Sequence, residues 1–129
     1  MDICKTLSDA KTIAVVGISS NPTRTSRMIA DYLKYAGYKV VGVNPGNPKI
    51  ERMDVYASLT DIPFEIDIVD VFRKAEDIPQ IISDVLAIKP KVLWLQLGIR
   101  NDEAVKPCSE SGITVIQDKC IKIEHNMCF

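Results

Sequence analysis

The run Lys11 to Ser26, KTIAVVGISSNPTRTS, restricts the chain more than any other stretch, because it reads as a buried strand, a glycine turn and a helix start. Thr12 to Val16 is apolar and rich in β-branched residues, too short for a helix and closed by Gly17, as expected of a central parallel strand covered on both faces. Gly17 permits a sharp turn there. Beyond Ile18-Ser19-Ser20-Asn21-Pro22, Thr25 or Ser26 is placed to cap a helix whose Met28, Ile29, Leu33 and Ala36 share one face. The N–H groups at that helix start, its positive dipole end, and Arg24 and Arg27 beside them form a candidate anion site. Many α/β domains open the same way and hold no ligand, so this run alone leaves both readings standing.

Further along, Gly37 supplies a helix stop, and Tyr38 to Val43 reads as a second strand ending in the turn Asn44-Pro45-Gly46-Asn47-Pro48. Asp54 to Pro63 lacks a sustained period and reads as a connector with a turn of helix. Ile66 to Phe72 reads as a third buried strand despite Asp67 and Asp70, because its other residues are apolar. Asp77 is placed to cap a helix with Pro79 in its first turn and Ile78, Ile81, Ile82, Val85 and Leu86 on one face. Val92 to Leu95 is a fourth strand, followed by the turn Gln96 to Arg100 and a helix from Asn101 to Ser111, in which Pro107 predicts a kink or restart. Gly112 ends that helix, Ile113 to Ile116 is a fifth strand, and Asp118 onward is a last helix or tail. Residues 2–9 are compatible with a short leading helix, with Ile3 and Leu7 one turn apart.

Strands alternating with helices imply an α/β, three-layer, Rossmann-like fold: a doubly wound parallel sheet of five strands in the order 3-2-1-4-5, with right-handed crossovers. Its 129 residues make one domain, 1–129. Ligands bind such sheets beyond the carboxyl ends of the strands, where the winding reverses. Gly17 to Arg24, Asn44-Pro45, Phe72-Arg73, Gln96 to Gly98 and Asp118 to Cys120 are all expected at that edge.

A hydrophobic fraction of 47% with 26% charged residues is globular, and a formal net charge of −1 gives no global pull toward nucleic acid or an anionic membrane. Any phosphate binding must therefore come from local groups. No apolar run approaches a membrane span and the N-terminus lacks a signal peptide's apolar core, so a cytoplasmic location is expected, without nucleic-acid or membrane partners. Cys4, Cys108, Cys120 and Cys128 are scattered and His125 is the only histidine, a poor supply for a metal site; free intracellular thiols are the expectation.

A dinucleotide cofactor is disfavoured. Its fingerprint needs three glycines and an acid near the second strand's end, whereas this chain offers Gly17 alone and places Asn44 at the acidic position. No G-K-[ST] occurs, so a Walker loop is absent as well.

The runs VVGISSNPTRTS, YLKYAGYKVVGVNP, VYASLTDIP, DIVDVFRKAEDIP, VLWLQLGIRNDEA and QDKCIKIEH, taken in order, resemble the small single-domain CoA-binding proteins. These are similar to the nucleotide-binding domain of the succinyl-CoA synthetase alpha subunit. The resemblance covers about residues 10–125 and implies a coenzyme A site at the carboxyl edge. It implies that Gly17, Ile18 and Ser19 bring backbone N–H groups to the phosphates, with Arg24 and Ser26 adding charge and a hydroxyl. Val43, Asn44 and Pro45 would flank the adenosine, Phe72 and Arg73 would line the nucleotide, and Gln96 to Gly98 would lie beside the pantetheine arm. Basic residues there suit a ligand that carries a 3′-phosphate besides its pyrophosphate.

Plain explanations stand beside these: Ser26 as a helix cap, Asn44-Pro45 as turn chemistry, Arg73 paired with Asp70 or Glu76, and Phe72 and Trp94 as core. The synthetase keeps its phosphorylated histidine in a second domain that this sequence does not include, and no nucleophile, base and oxyanion site can be assembled here. The expectation is a CoA- or acyl-CoA-binding module without its own catalysis. A subunit of an acyl-CoA ligase or transferase, a homodimer, and a thiol-redox CoA sensor acting through Cys120 are the alternatives, with a nicotinamide-dependent oxidoreductase behind them.

Overall fold

The computed structural model describes residues 2–129. A short helix, α1 (Ile3–Asp9), is capped by the Asp2 carboxylate, which accepts from the Lys5 N–H at 3.1 Å. Then come β1 (Thr12–Val16), α2 (Thr25–Tyr35), β2 (Lys39–Val43), β3 (Val55–Tyr56) and β4 (Ile68–Val71). The chain continues through α3 (Pro79–Ile88), β5 (Val92–Leu95), α4 (Asp102–Glu110), β6 (Thr114–Ile116) and α5 (Ile121–Cys128).

All strands pair in parallel in the order β3-β2-β1-β4-β5-β6. The fold is the expected Rossmann-like one, with six strands where five were read. The added strand is Val55–Tyr56, inside the segment read as a connector: two residues are too few to show a period, and their pairing is specified by the neighbouring β2. It takes the third place, so the segment read as the third strand becomes β4 and lies directly against β1. The winding therefore reverses between β1 and β4, which brings the turn after Val16 beside the turn after Val71.

Alternation along the central strands builds the two cores. Ala14, Val16, Val69 and Val71 face α3 and α4, packing with Ile82, Val85, Val105 and Cys108. Ile13, Val15, Ile68 and Trp94 face the other way, toward Leu7 of α1, Ile29 and Leu33 of α2 and Ile121 of α5. Burial of both faces explains why β1, β4 and β5 are almost wholly apolar.

The two aspartates of the fourth strand region have opposite fates. Asp67 precedes β4 and accepts from the Lys11 and Thr12 N–H groups at 2.7 and 3.2 Å, with the Lys91 ammonium 3.5 Å away. Burial alone would raise its pKa, but those hydrogen bonds and the lysine outweigh it and hold the carboxyl below its ordinary range. Asp70, paired in register between Val15 and Trp94, is fully buried and neither carboxyl oxygen has a hydrogen-bond partner among the described residues. Burial pushes its pKa well above the usual carboxylate value and favours the neutral acid.

Several local expectations are corrected. Asp77 ends a 3-10 turn (Ala75–Asp77) and α3 starts after Ile78, so it caps nothing at that helix. α4 runs unbroken through Pro107, whose ring lies on the exposed face where the carbonyl it frees can be hydrated. The cysteines are not all free: Cys4 and Cys128 form a disulfide with a Cα–Cα distance of 5.4 Å. Their separation of 124 residues hid this, because it is the sheet that lays the first and last helices side by side. Cys108 is buried and free, and Cys120 is free and partly buried.

Candidate functional site

The carboxyl ends of β1, β2, β4 and β5 open on one edge of the sheet, and the turns leaving them set the site. Gly17 ends β1 at φ +86°, donates its N–H to the Val43 carbonyl at 2.9 Å, and lies against the backbone of Phe72. The Phe72 N–H in turn reaches the Val16 carbonyl at 2.8 Å, which ties the first and fourth strand ends together. Ile18 is wholly buried in the core beneath the turn, and its carbonyl accepts from Asn44 Nδ2 at 2.9 Å. Asn44 Oδ1 accepts from the Gly46 N–H at 2.8 Å, so this side chain braces the two turns on each other.

The loop Ser19 to Arg24 folds over the start of α2. Ser26, 7% exposed, does not cap the helix; its Oγ accepts from the Ser19 N–H at 3.1 Å. The helix instead begins after Arg24, which provides no side-chain capping bond. Arg27 is engaged with Asp31 at 3.3 Å and with the Ser20 carbonyl at 3.0 Å. Arg24 is exposed, and among the described residues it takes part in no ion pair. One free guanidinium therefore stands beside an uncapped helix start, an arrangement that attracts an anion.

Three cavities lie along this edge. A cavity of about 290 Å³ lies beyond β1 and β2 and is lined by Val43, Pro45, the Ala57–Ser58–Leu59 turn and Arg73. A second, of about 350 Å³, lies over the β1–α2 loop, lined by Gly17, Ser19, Arg24, Ser26 and Phe72. The third, about 700 Å³, lies beyond β4 and β5 and is lined by Phe72, Arg73, Gln96, Gly98 and Cys120, with Leu97, Ile99 and Ile123 making it largely apolar. Phe72 lines the second and third, and Arg73 lines the first and third, so the turn after β4 joins all of them.

The walls of the third cavity are fixed by their own hydrogen bonds. Gln96 is buried and accepts the Ile121 N–H on Oε1 at 3.1 Å, while Trp94 Nε1 donates to the Lys119 carbonyl at 2.8 Å. These bonds hold the start of α5, with Cys120 at its N-cap, against the end of β5. Gly98, at φ +84°, donates its N–H to Asp118 Oδ1 at 2.6 Å.

Of the sequence-derived residues, Gly17, Ser19, Arg24, Ser26, Val43, Pro45, Phe72, Arg73, Gln96, Gly98 and Cys120 line these cavities. Ile18 and Asn44 stand behind them as supports. Arg73 pairs with neither Asp70 nor Glu76 among the described residues. The sequence reading did not single out Ala57 to Leu59, which reach the first cavity because the short β3 carries them to the edge, nor Ile123, whose apolar side chain in a polar tail was the available signal.

A family model described as CoA binding domain matches residues 11–126. The chain is 40% identical over 124 residues to the uncharacterised protein YneT of Bacillus subtilis, covering 96% of this chain and 92% of that protein. The solved structure of the protein designated cell-free ID.343 from Thermus thermophilus superposes with a TM-score of 0.95 at 38% identity, each chain covered in full. A part of the ADP-forming acetate–CoA ligase II of Archaeoglobus fulgidus is 32% identical over 76 residues, 57% of this chain but 11% of the ligase. With the match spanning nearly the whole domain and the strand-end turns in the order the motifs require, the chain belongs to the CoA-binding domain family.

Proposed function

We propose that this protein binds coenzyme A or an acyl-CoA along the carboxyl edge of its sheet, in a cytoplasmic setting and without catalysis of its own. The observation that carries this reading is the set of three cavities that meet at the Phe72–Arg73 turn, with the uncapped start of α2 and the free Arg24 guanidinium at one of them. A ligand with an anionic centre and two unlike arms fits that layout. The pyrophosphate would lie over Gly17, Ser19, Arg24 and Ser26, the adenosine arm toward Val43 and Pro45, and the pantetheine arm in the larger apolar cavity beside Phe72, Gln96 and Gly98. Ile18 and Asn44 shape the turns from behind, and Arg73 stands where it can reach the nucleotide.

Asn44 also argues against a dinucleotide. At the end of β2, where a dinucleotide fold places an acid for the ribose hydroxyls, this chain has Asn44, whose side chain is committed to the Ile18 carbonyl and the Gly46 N–H. Parallel isothermal titrations with CoA, NADH and ATP test the proposal. Saturable binding of CoA alone is the expected result, and absence of CoA binding at any salt concentration sinks it.

Two extensions have their own observations. The partial match to an acetate–CoA ligase favours a role as the CoA-binding part of a larger assembly, which co-purification with a catalytic partner would reveal. Cys120 lines the cavity assigned to the pantetheine arm, so its thiolate is placed for exchange with a CoA disulfide. In that step the Cys120 sulfur attacks the CoA sulfur, a Cys120–CoA disulfide forms, and the second thiol of the CoA disulfide leaves as a thiolate.

A further inference from the structure

We infer that the Cys4–Cys128 disulfide is a redox latch on α5, and through α5 on the wall of the large apolar cavity. The inference that the cavity's ligand is affected rests on the CoA reading; the latch itself does not.

α5 is held at two ends by different means. Its first residues are tied to β5 by the Gln96 and Trp94 hydrogen bonds, and Ile121 is its one wholly buried side chain. Its second half rests on Tyr32, whose hydroxyl lies 2.8 Å from His125 Nδ1 and 2.6 Å from Asn126 Oδ1, and on the bond from Cys128 to Cys4. The residues Met127 and Phe129 at this end are exposed. An eight-residue helix has no stability of its own, because it has too few hydrogen bonds to offset nucleation. α1, at seven residues, is shorter still and buries only Leu7. The disulfide makes the two marginal helices one unit, since neither can leave the sheet without the other.

Ile123 and Cys120, at the first turn of α5, form part of the cavity wall. Fraying from the Cys128 end reaches Ile123 within about one and a half turns. Both cysteines of the latch lie outside residues 11–126, the span matched by the family model. In the cytoplasmic setting proposed above, thiol reductants favour the open form, and a small-molecule disulfide that takes up two electrons and two protons as it splits into two thiols restores the closed one. Reduction breaks the S–S bond with two electrons and two protons from a dithiol, which closes to its own disulfide and leaves thiols at Cys4 and Cys128.

The test compares oxidised protein, protein reduced with dithiothreitol, and a Cys4→Ser/Cys128→Ser double variant. Amide exchange over Glu124 to Cys128 is expected to accelerate on the order of tenfold in the two open forms, with β1 still protected. Cys120, read by peptide mapping after brief iodoacetamide treatment, is expected to alkylate at least about threefold faster, and CoA to bind at least about threefold more weakly. Unchanged exchange in α5 overturns the latch, as does faster exchange with unchanged Cys120 alkylation, or loss of protection in β1 as well. If CoA binds no form of the protein, the binding reading fails by itself, and the latch is judged on the two ligand-free measurements.

Discussion

A Cβ placed on Gly17 would lie 2.5 Å from the carbonyl oxygen of Phe72. The contact is with backbone on the neighbouring strand end, so no side-chain rotation relieves it, and φ at Gly17 is +86°, where other residues are strained. Gly17→Ala is therefore expected to cost about 2–4 kcal/mol in denaturant unfolding. It should also weaken CoA binding beyond that of a surface variant of equal stability, because pushing Phe72 away opens the junction between two cavities. An unchanged unfolding midpoint would count against this geometry.

The Arg24 side chain is exposed and makes no hydrogen bond or ion pair among the described residues, so Arg24→Ala should leave the melting temperature within about 1 °C. CoA affinity, in contrast, is expected to fall roughly 10- to 100-fold, the worth of one charge-assisted hydrogen bond to phosphate. Arg24→Lys should recover part of that loss at low salt and less at high salt. Equal affinity in all three proteins would remove the anion site from the β1–α2 loop.

Asp70 gives the fold a pH dependence of definite sign. Its folded-state pKa is raised by burial, so its contribution to stability is whole below the unfolded value near pH 4 and is lost as the pH climbs through the raised one. Unfolding free energy of the wild type should therefore decline with rising pH over that window, relative to Asp70→Asn, which cannot ionise. Denaturant curves between pH 4 and pH 9 provide the comparison, and parallel slopes in the two proteins would show that Asp70 does not stay protonated.

Incubation with CoA disulfide should add one CoA to Cys120, read as an intact-mass increase that Cys120→Ser abolishes. Cys108 is fully buried and burial raises its thiol pKa, so it should remain unmodified. An adduct that persists in Cys120→Ser would place the reactive thiol elsewhere.

The central sheet was legible because a strand buried on both faces is almost wholly apolar, as are Thr12–Val16, Val92–Leu95 and, but for Asp70, Ile68–Val71. The edge strand Val55–Tyr56 was not, since its backbone bonds, the Gly42 N–H to Asp54 and the Asn44 N–H to Tyr56, carry no side-chain signature. Ser26 shows the limit at the site. Its position next to a helix start reads as a cap, and only the folded loop reveals that the Ser19 N–H has claimed the hydroxyl. Likewise Cys4 and Cys128 are remote in sequence and adjacent in space, a relation no spacing rule contains.

Asp2 closes the start of α1 and Asn101, through its bond from the Ala104 N–H, closes the start of α4, yet α2 begins with no such partner. α3 and α5 also begin without a side-chain cap, but α3 follows a 3-10 turn with Pro79 at its start and the Ile121 N–H of α5 donates to Gln96, whereas the start of α2 is left to be finished from outside. An anion bound there would become the missing cap, so occupancy and folding would be two readings of a single equilibrium. The protein would be stiffest when loaded, and a ligand held at a hundred times its dissociation constant would add about 2.7 kcal/mol to the stability of the whole domain.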